Sequence, residues 1–175
     1  MFDANRLLGC LLEARLPGSG PERLEQLAAI PASPQPGLAE PPARFAPQEV
    51  QVGSVIDNDR ATILLRAMIN AVKSDGRTTA ERGRQIIARL EKAGAEPAAQ
   101  QFVIDEMARP MDLDGLVAAV RSQTMAVQVY AASLFAIAPK TPAQVGYLRQ
   151  LSERLGLDPE FTRQLHRSLA TAPPS

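Results

Sequence analysis

Eight of the chain's fifteen prolines fall between Pro17 and Pro47. Each one locks φ near about −65° and removes a backbone donor, so neither a long helix nor a central strand can run through that stretch. The run "PASPQPGLAEPPARFAP" reads as an extended linker of polyproline character, and "PERLEQLAAI" (21–30) leaves room for one short helix begun by Pro21. The chain is thereby divided into a head (1–16), a linker (17–56), a domain (57–171) and a short disordered tail (172–175). Only the third part is long enough to enclose a core.

The head, "FDANRLLGCLLEARL", places Leu8, Leu12 and Leu16 in one helical register and Leu7 with Leu11 beside it. This is an amphipathic helix on a tether. Two roles suit it. It folds back onto the domain, or Leu8 and Leu12 dock on a partner protein or a membrane surface. Asp3 and Glu13 offset Arg6 and Arg15, so it has no basic face for anionic lipid.

From Asp57 onward no segment alternates with period two long enough to be a strand, and the apolar spacing is helical throughout. The expectation is an all-α bundle of about seven helices. "NDRATILLRAMINAVKSDG" is apolar around most of its circumference and belongs at the centre. "TTAERGRQIIARLEKAG", "PAAQQFVIDEMAR", "LDGLVAAVR", a second apolar helix from about Thr124 to Ala138, "TPAQVGYLRQLSERLG" and "DPEFTRQLHRSLA" follow. Starts at Ser, Thr, Asp or Pro and stops at Gly are the expected punctuation. The apolar stretch 125–138 is shorter than a spanning helix needs and contains Gln128, so it reads as core.

The two halves of this domain match. "TTAERG" (78–83) lies on "TPAQVG" (141–146), and "EKAGAEP" (91–97) lies on "ERLGLDP" (153–159) with a one-residue slip between. Each half reads buried helix, turn, capped helix, Gly, Pro, helix, which predicts a helical pseudo-repeat with its two greasy helices packed together. Gly83 and Gly146 occupy matching helical positions, which suits either close helix approach or a first turn where Gly is cheaply tolerated.

The acids most suggestive of a site are Asp75 and Glu81, either side of the first turn. The duplication supplies a control. Thr78-x-x-Glu81 has the capping-box form, and its counterpart is Thr141-x-x-Gln144. A helix start accepts Glu or Gln there, whereas a hard cation would register the lost charge. Asp75-Gly76 equally reads as a helix stop. With Gly76 at the sixth place of a calcium loop, the ligand places hold Ala71, Lys73, Asp75 and Arg82, so the segment is not an EF-hand. The expectation is no cofactor, with a divalent metal at Asp75 and Glu81 as the alternative.

Catalytic groupings do not assemble from the sequence. Cys10 lies in an apolar stretch, and His166 is tied by no motif to a nucleophile. "PGSGP" lacks the strand, spacing and Lys of a phosphate loop. Asp105 and Glu106 are adjacent and face different ways on a helix, and Tyr130 and Tyr147 read as packed with hydroxyls near the rim. Nineteen basic residues balance nineteen acidic ones and aromatics are 4%, which argues against a nucleic-acid partner. Arg82, Arg89 and Lys92, with Arg77 and Arg84 nearby, put excess positive charge on one helix, opposed by Glu81 and Glu91. That face is a solvated surface or a docking patch for an acidic partner. A non-enzymatic interaction module that binds a protein partner is the expected function. The lone cysteine and the lack of a secretory pattern place it in the cytoplasm, with peripheral attachment to the inner membrane as the variant.

"LLRAMINAVKSDGRTTAERGRQIIARLEKAG", with "VYAASLFAI" and "TPAQVGYLRQLSERLGLDP", resembles the bacterial YebE-like domain of unknown function (domain of unknown function 533). That group is similar to the tellurite-resistance TerB fold. The resemblance runs from about Asp57 to Leu169 and implies an all-helical domain with a duplicated core, in an envelope or stress context. It also implies metal binding through acids near the turns, and only Asp75 and Glu81 carry over by position. The second turn, "IAPKTPAQ", has Pro139, Lys140 and Gln144 where relatives carry further acids. The linker replaces a Gly-rich apolar segment found in many relatives.

Overall fold

The computed structural model describes residues 3–15, 58–76, 79–137 and 141–170. Among them every regular element is a helix. In chain order these are α1 (Ala4–Arg15), α2 (Asn58–Lys73), α3 (Thr79–Lys92), α4 (Pro97–Ala108), α5 (Leu113–Ala119), α6 (Gln123–Ile137), α7 (Pro142–Leu155) and α8 (Pro159–Ala170). Seven follow the linker, as expected. The Pro-rich linker, the short helix expected at 21–30, Thr78 and the tail lie outside the described residues.

The helices α2 and α6 form the axis of the bundle. On α2 the buried set is Ala61, Leu64, Leu65, Ala67, Met68, Ile69, Asn70 and Ala71. On α6 every residue from Met125 to Ile137 is buried. Alanine makes the pairing close: Ala67, Ala71, Ala126, Ala131 and Ala132 are all fully enclosed. Ser133 Oγ sits 2.9 Å from the Val129 carbonyl in its own helix and 3.3 Å from the Ala67 carbonyl across the interface. A hydroxyl is tolerable there because backbone oxygens satisfy it.

The duplication is visible as two helix triplets. α2, α3 and α4 have 16, 14 and 12 residues; α6, α7 and α8 have 15, 14 and 12. Their middle helices close identically. Gly94 (φ 72) and Gly156 (φ 68) are left-handed. Ala95 N–H reaches back to the Leu90 carbonyl at 2.9 Å, and Leu157 N–H to the Ser152 carbonyl at 2.9 Å. This is a Schellman closure, and in both helices the residue after the glycine, Ala95 or Leu157, is buried. The connector α5 is capped by Asp112, whose Oδ1 accepts from Gly115 N–H at 2.7 Å.

Of the two readings of the matching Gly83 and Gly146, the structure does not show the close approach. A Cβ at Gly83 would meet only Met107 Cε at 3.8 Å, and one at Gly146 would meet nothing within 4 Å. Both are tolerated rather than required. Gly146→Ala should therefore stabilise the fold by about 0.5–1 kcal/mol, read as a rise in chemical-denaturation midpoint with an unchanged m-value.

The head folds back. α1 packs on α2, α3 and α6 and buries Ala4, Leu7, Leu8 and Leu11. Asn58 Oδ1 accepts from Ala4 N–H at 2.8 Å, tying the start of α1 to the start of α2. Of the two roles open to the head, the structure shows the intramolecular one. Leu8 has 0% exposure, so it is a core residue in this structure. Leu12 lies in α1, with its side chain outside the described part.

Candidate functional site

The corner between α2 and α3 holds the acid singled out by sequence. Lys73 ends α2, and Gly76 (φ 63) supplies the left-handed residue that turns the chain. Between them Asp75 folds inward, its side chain only 2% exposed. Arg82 Nη1, from the second turn of α3, donates to Asp75 Oδ2 at 2.6 Å. Gln144 Nε2, from α7 in the other triplet, donates to the same oxygen at 3.4 Å. The carboxylate thus joins the two halves of the repeat.

Gln144 does two jobs. Thr141 Oγ1 accepts from Gln144 N–H at 3.3 Å, and Gln144 Oε1 accepts from Thr141 N–H at 3.3 Å, completing the capping box. The amide nitrogen is left to donate to Asp75. Glutamate would cap the helix equally well but would set a second carboxylate against Asp75. The reason for an amide at this position is therefore the inter-half bond as well as the cap. Glu81, its counterpart on α3, is exposed.

These donors bear on the metal alternative. A cation at the corner would have to displace a guanidinium in direct contact with Asp75 and would meet an amide nitrogen beside it. Among the described residues no three His, Cys, Asp or Glu side chains gather as a ligand group. The residues present do not fit a hard divalent ion, which needs several convergent oxygens.

A family model described as "Protein of unknown function (DUF533)" matches residues 24–169, most of the chain. The chain belongs to the DUF533 family. The match takes in both triplets but for the last residue of α8, and α1 lies outside it. No curated protein and no solved structure matches the chain.

Two further polar arrangements in this DUF533 domain escaped the sequence reading. Lys73 Nζ donates to the Glu106 carbonyl at 2.9 Å and to the Arg109 carbonyl, closing the end of α4. Burial lowers its pKa, and the Glu106 charge opposes that shift. The Glu106 carboxylate is held by Arg66 (3.3 Å) and Arg109 (2.9 Å). Asp105 instead accepts from Gln101 at 2.8 Å, so the two adjacent acids do face apart.

His166 is the second. It is half-buried, with Nε2 2.7 Å from the Tyr130 hydroxyl. Thirty-six positions separate the pair, and no local motif could have announced it. The available signal was the apolar stripe of α8, where Phe161 and Leu165 pack on the core. Nor are the tyrosine hydroxyls both at the rim: the Tyr147 oxygen is fully buried, with the Ser133 hydroxyl its polar neighbour.

Burial lowers the His166 pKa and raises that of Tyr130 to about 12. The unfolded chain therefore binds a proton at His166 before the folded one does as pH falls below about 6.5. It loses the Tyr130 proton first as pH rises above about 10. Thermal stability should be highest between those limits and decline on both sides. His166→Gln should flatten the acid limb, and Tyr130→Phe should reduce the alkaline limb without removing it, because burial raises the Tyr147 pKa as well, as measured by melting temperature across a buffer series.

The remaining candidates are on α3. Arg82 is committed to Asp75. Arg84, Arg89 and Lys92 are exposed, as are Glu81 and Glu91. Arg89 and Lys92 are three apart and share one side of the helix. Arg77 lies outside the described residues. No helix among the described residues is long and apolar enough to cross a membrane.

Proposed function

We propose that this DUF533 chain is a non-enzymatic helical interaction module of TerB-like architecture, engaged by a protein partner at the exposed basic side of α3. One observation carries the reading. Three inward polar groups that a site could use are taken up by the fold itself: Asp75 by Arg82 and Gln144, Lys73 by two carbonyls, and Tyr130 by His166. Catalysis requires convergent groups open to a substrate. The hollow beside Cys10, lined also by Ala95 and Ala99, measures about 10 Å³, room for one water. Cationic side chains remain on the outside, at Arg84, Arg89 and Lys92. Their matching surface is an acidic patch on another protein, and the envelope or stress setting of the resembling family is the context in which it would be sought.

Charge reversal tests this. The double change Arg89→Glu with Lys92→Glu should keep the helical circular dichroism and a cooperative melt, with a fall of a few degrees in melting temperature because both cations lie in the last turn of α3, where they favour the helix dipole. Proximity labelling in the native cell, read against the unmodified chain, should then lose specific partners. An unchanged partner set would overturn the proposal.

A further inference from the structure

The outer side of α4 is apolar where a surface helix is ordinarily polar. Among the described residues the large apolar side chains left exposed are Ile104, Met111 and Val145. Ile104 (44%) lies on α4, and Met111 (46%) lies just beyond its end. The helix turns Ala99 and Val103 into the core. On its other side Pro97, Gln101, Ile104 and Ala108 are exposed, at successive spacings of four, three and four. That is the spacing of a seam between two packed helices. The repeat shows that the fold does not demand it. In the second triplet α8 holds the matching place, and its exposed residues include Glu160, Arg163, Gln164 and Arg167.

The chemistry of the seam specifies what covers it. Ile104 protrudes, and the small Ala108 lies one turn further on. Asp105 and Arg109 border the seam on one edge, also one turn apart, and both are exposed. Their bonds to Gln101 and Glu106 lie within the same helix end and leave them at the surface. Two copies of α4 laid antiparallel about a two-fold axis bring Ile104 of each onto Ala108 of the other, and Asp105 of each opposite Arg109 of the other. A partner with a rim of one sign would match one of these edge charges and oppose the other. The chain has nineteen basic and nineteen acidic residues, so two copies carry no net charge to hold them apart.

Going beyond the docking face on α3, we infer that the outer face of α4 is a homodimer interface, on which a second copy of this chain packs its own α4 in antiparallel. The helix has 12 residues and is about 18 Å long. The buried patch is therefore smaller than the roughly 800 Å² per partner of a standard interface. The dimer is accordingly weak, with a dissociation constant on the order of 10–100 µM. Because α3 packs on α4, each dimer presents two α3 faces.

Sedimentation velocity on the full chain, from about 1 µM to about 1 mM, tests this. The expected result is a monomer at the dilute end and a dimer at the concentrated end. Ile104→Glu should weaken the dimer by about 10-fold or more, because it sets a charge in the seam. Val145→Ser, at an exposed apolar residue of α7, should leave it unchanged. Asp105→Arg and Arg109→Asp should each weaken it by about 3- to 10-fold, since the symmetry counts every lost pair twice. Mixed in equal amounts, those two variants should associate as tightly as the unmodified chain, because the mixed dimer regains opposite charges at both pairs. A monomer at every concentration would refute the proposal. So would a dimer that Ile104→Glu leaves intact or that Val145→Ser weakens equally. Failure of the mixture to recover would refute the antiparallel pairing on which it rests. Should Ile104→Glu not fold, the charge variants and their mixture decide alone. None of these changes touches Arg84, Arg89 or Lys92, so the outcome is separable from that of the α3 docking face.

Discussion

Leu64→Ala is expected to lower the free energy of unfolding by about 3 kcal/mol, within the 2–5 range for emptying a fully enclosed leucine site. Leu64 has no exposed surface and lies on α2, between the two triplets. Ala61 and Ala67, one turn away on either side along α2, are fully enclosed alanines with no side-chain length to refill the space. The residual cavity should therefore be large relative to the atoms deleted. For a chain of this size the melting temperature should fall by about 6–12 °C. Leu8 makes a useful contrast. It is equally buried, yet a change there weakens the core by no more than the free energy that docks α1. Leu8→Ala should produce the smaller shift.

Asp75→Ala should cost about 2–3 kcal/mol. The loss is more than one hydrogen bond, because Arg82 and Gln144 both donate to the deleted carboxylate. Arg82 is left with a charge that nothing offsets at the corner. It is less than the loss for a fully buried pair, because the Arg82 side chain is 41% exposed and recovers hydration. Gln144→Glu should also destabilise by setting like charges together, whereas Gln144→Met should remove only the cap and the bridge. Calcium, magnesium or zinc at micromolar concentration should leave the melting temperature of the unmodified chain unchanged. A saturable rise abolished by Asp75→Ala would return the metal alternative to the corner.

The helical class, the seven helices after the linker and the paired triplets were legible in the residues. Periodicity and capping are local properties, and the chain writes them out in order. "EKAG" and "ERLG" announce the same closure, and the structure gives both the same hydrogen bonds. The burial of α6 could be read from its apolar run because no face was left for water. Side-chain pairings across the bundle could not be read. Asp75 and Gln144 lie 69 positions apart, and Tyr130 and His166 36 apart, so their meeting depends on how the triplets dock. The same gap misassigned Arg82, which sequence grouped with the outward cations and the fold turns toward Asp75. Gly83 and Gly146 show a different limit, since a matched pattern could not by itself separate a packing role from simple tolerance, and the open space around Gly146 supports the second.

The complete enclosure of α6 has a consequence for cooperativity. A rod with no wet side cannot persist in water by itself, and every residue of α6 from Met125 to Ile137 is inside. The two triplets, alike as they are, therefore cannot come apart into independent folding units as stacked solenoid repeats can. Severing the chain at α5 should yield two insoluble fragments, and the intact domain should melt in one transition because its duplicated halves share a single interior.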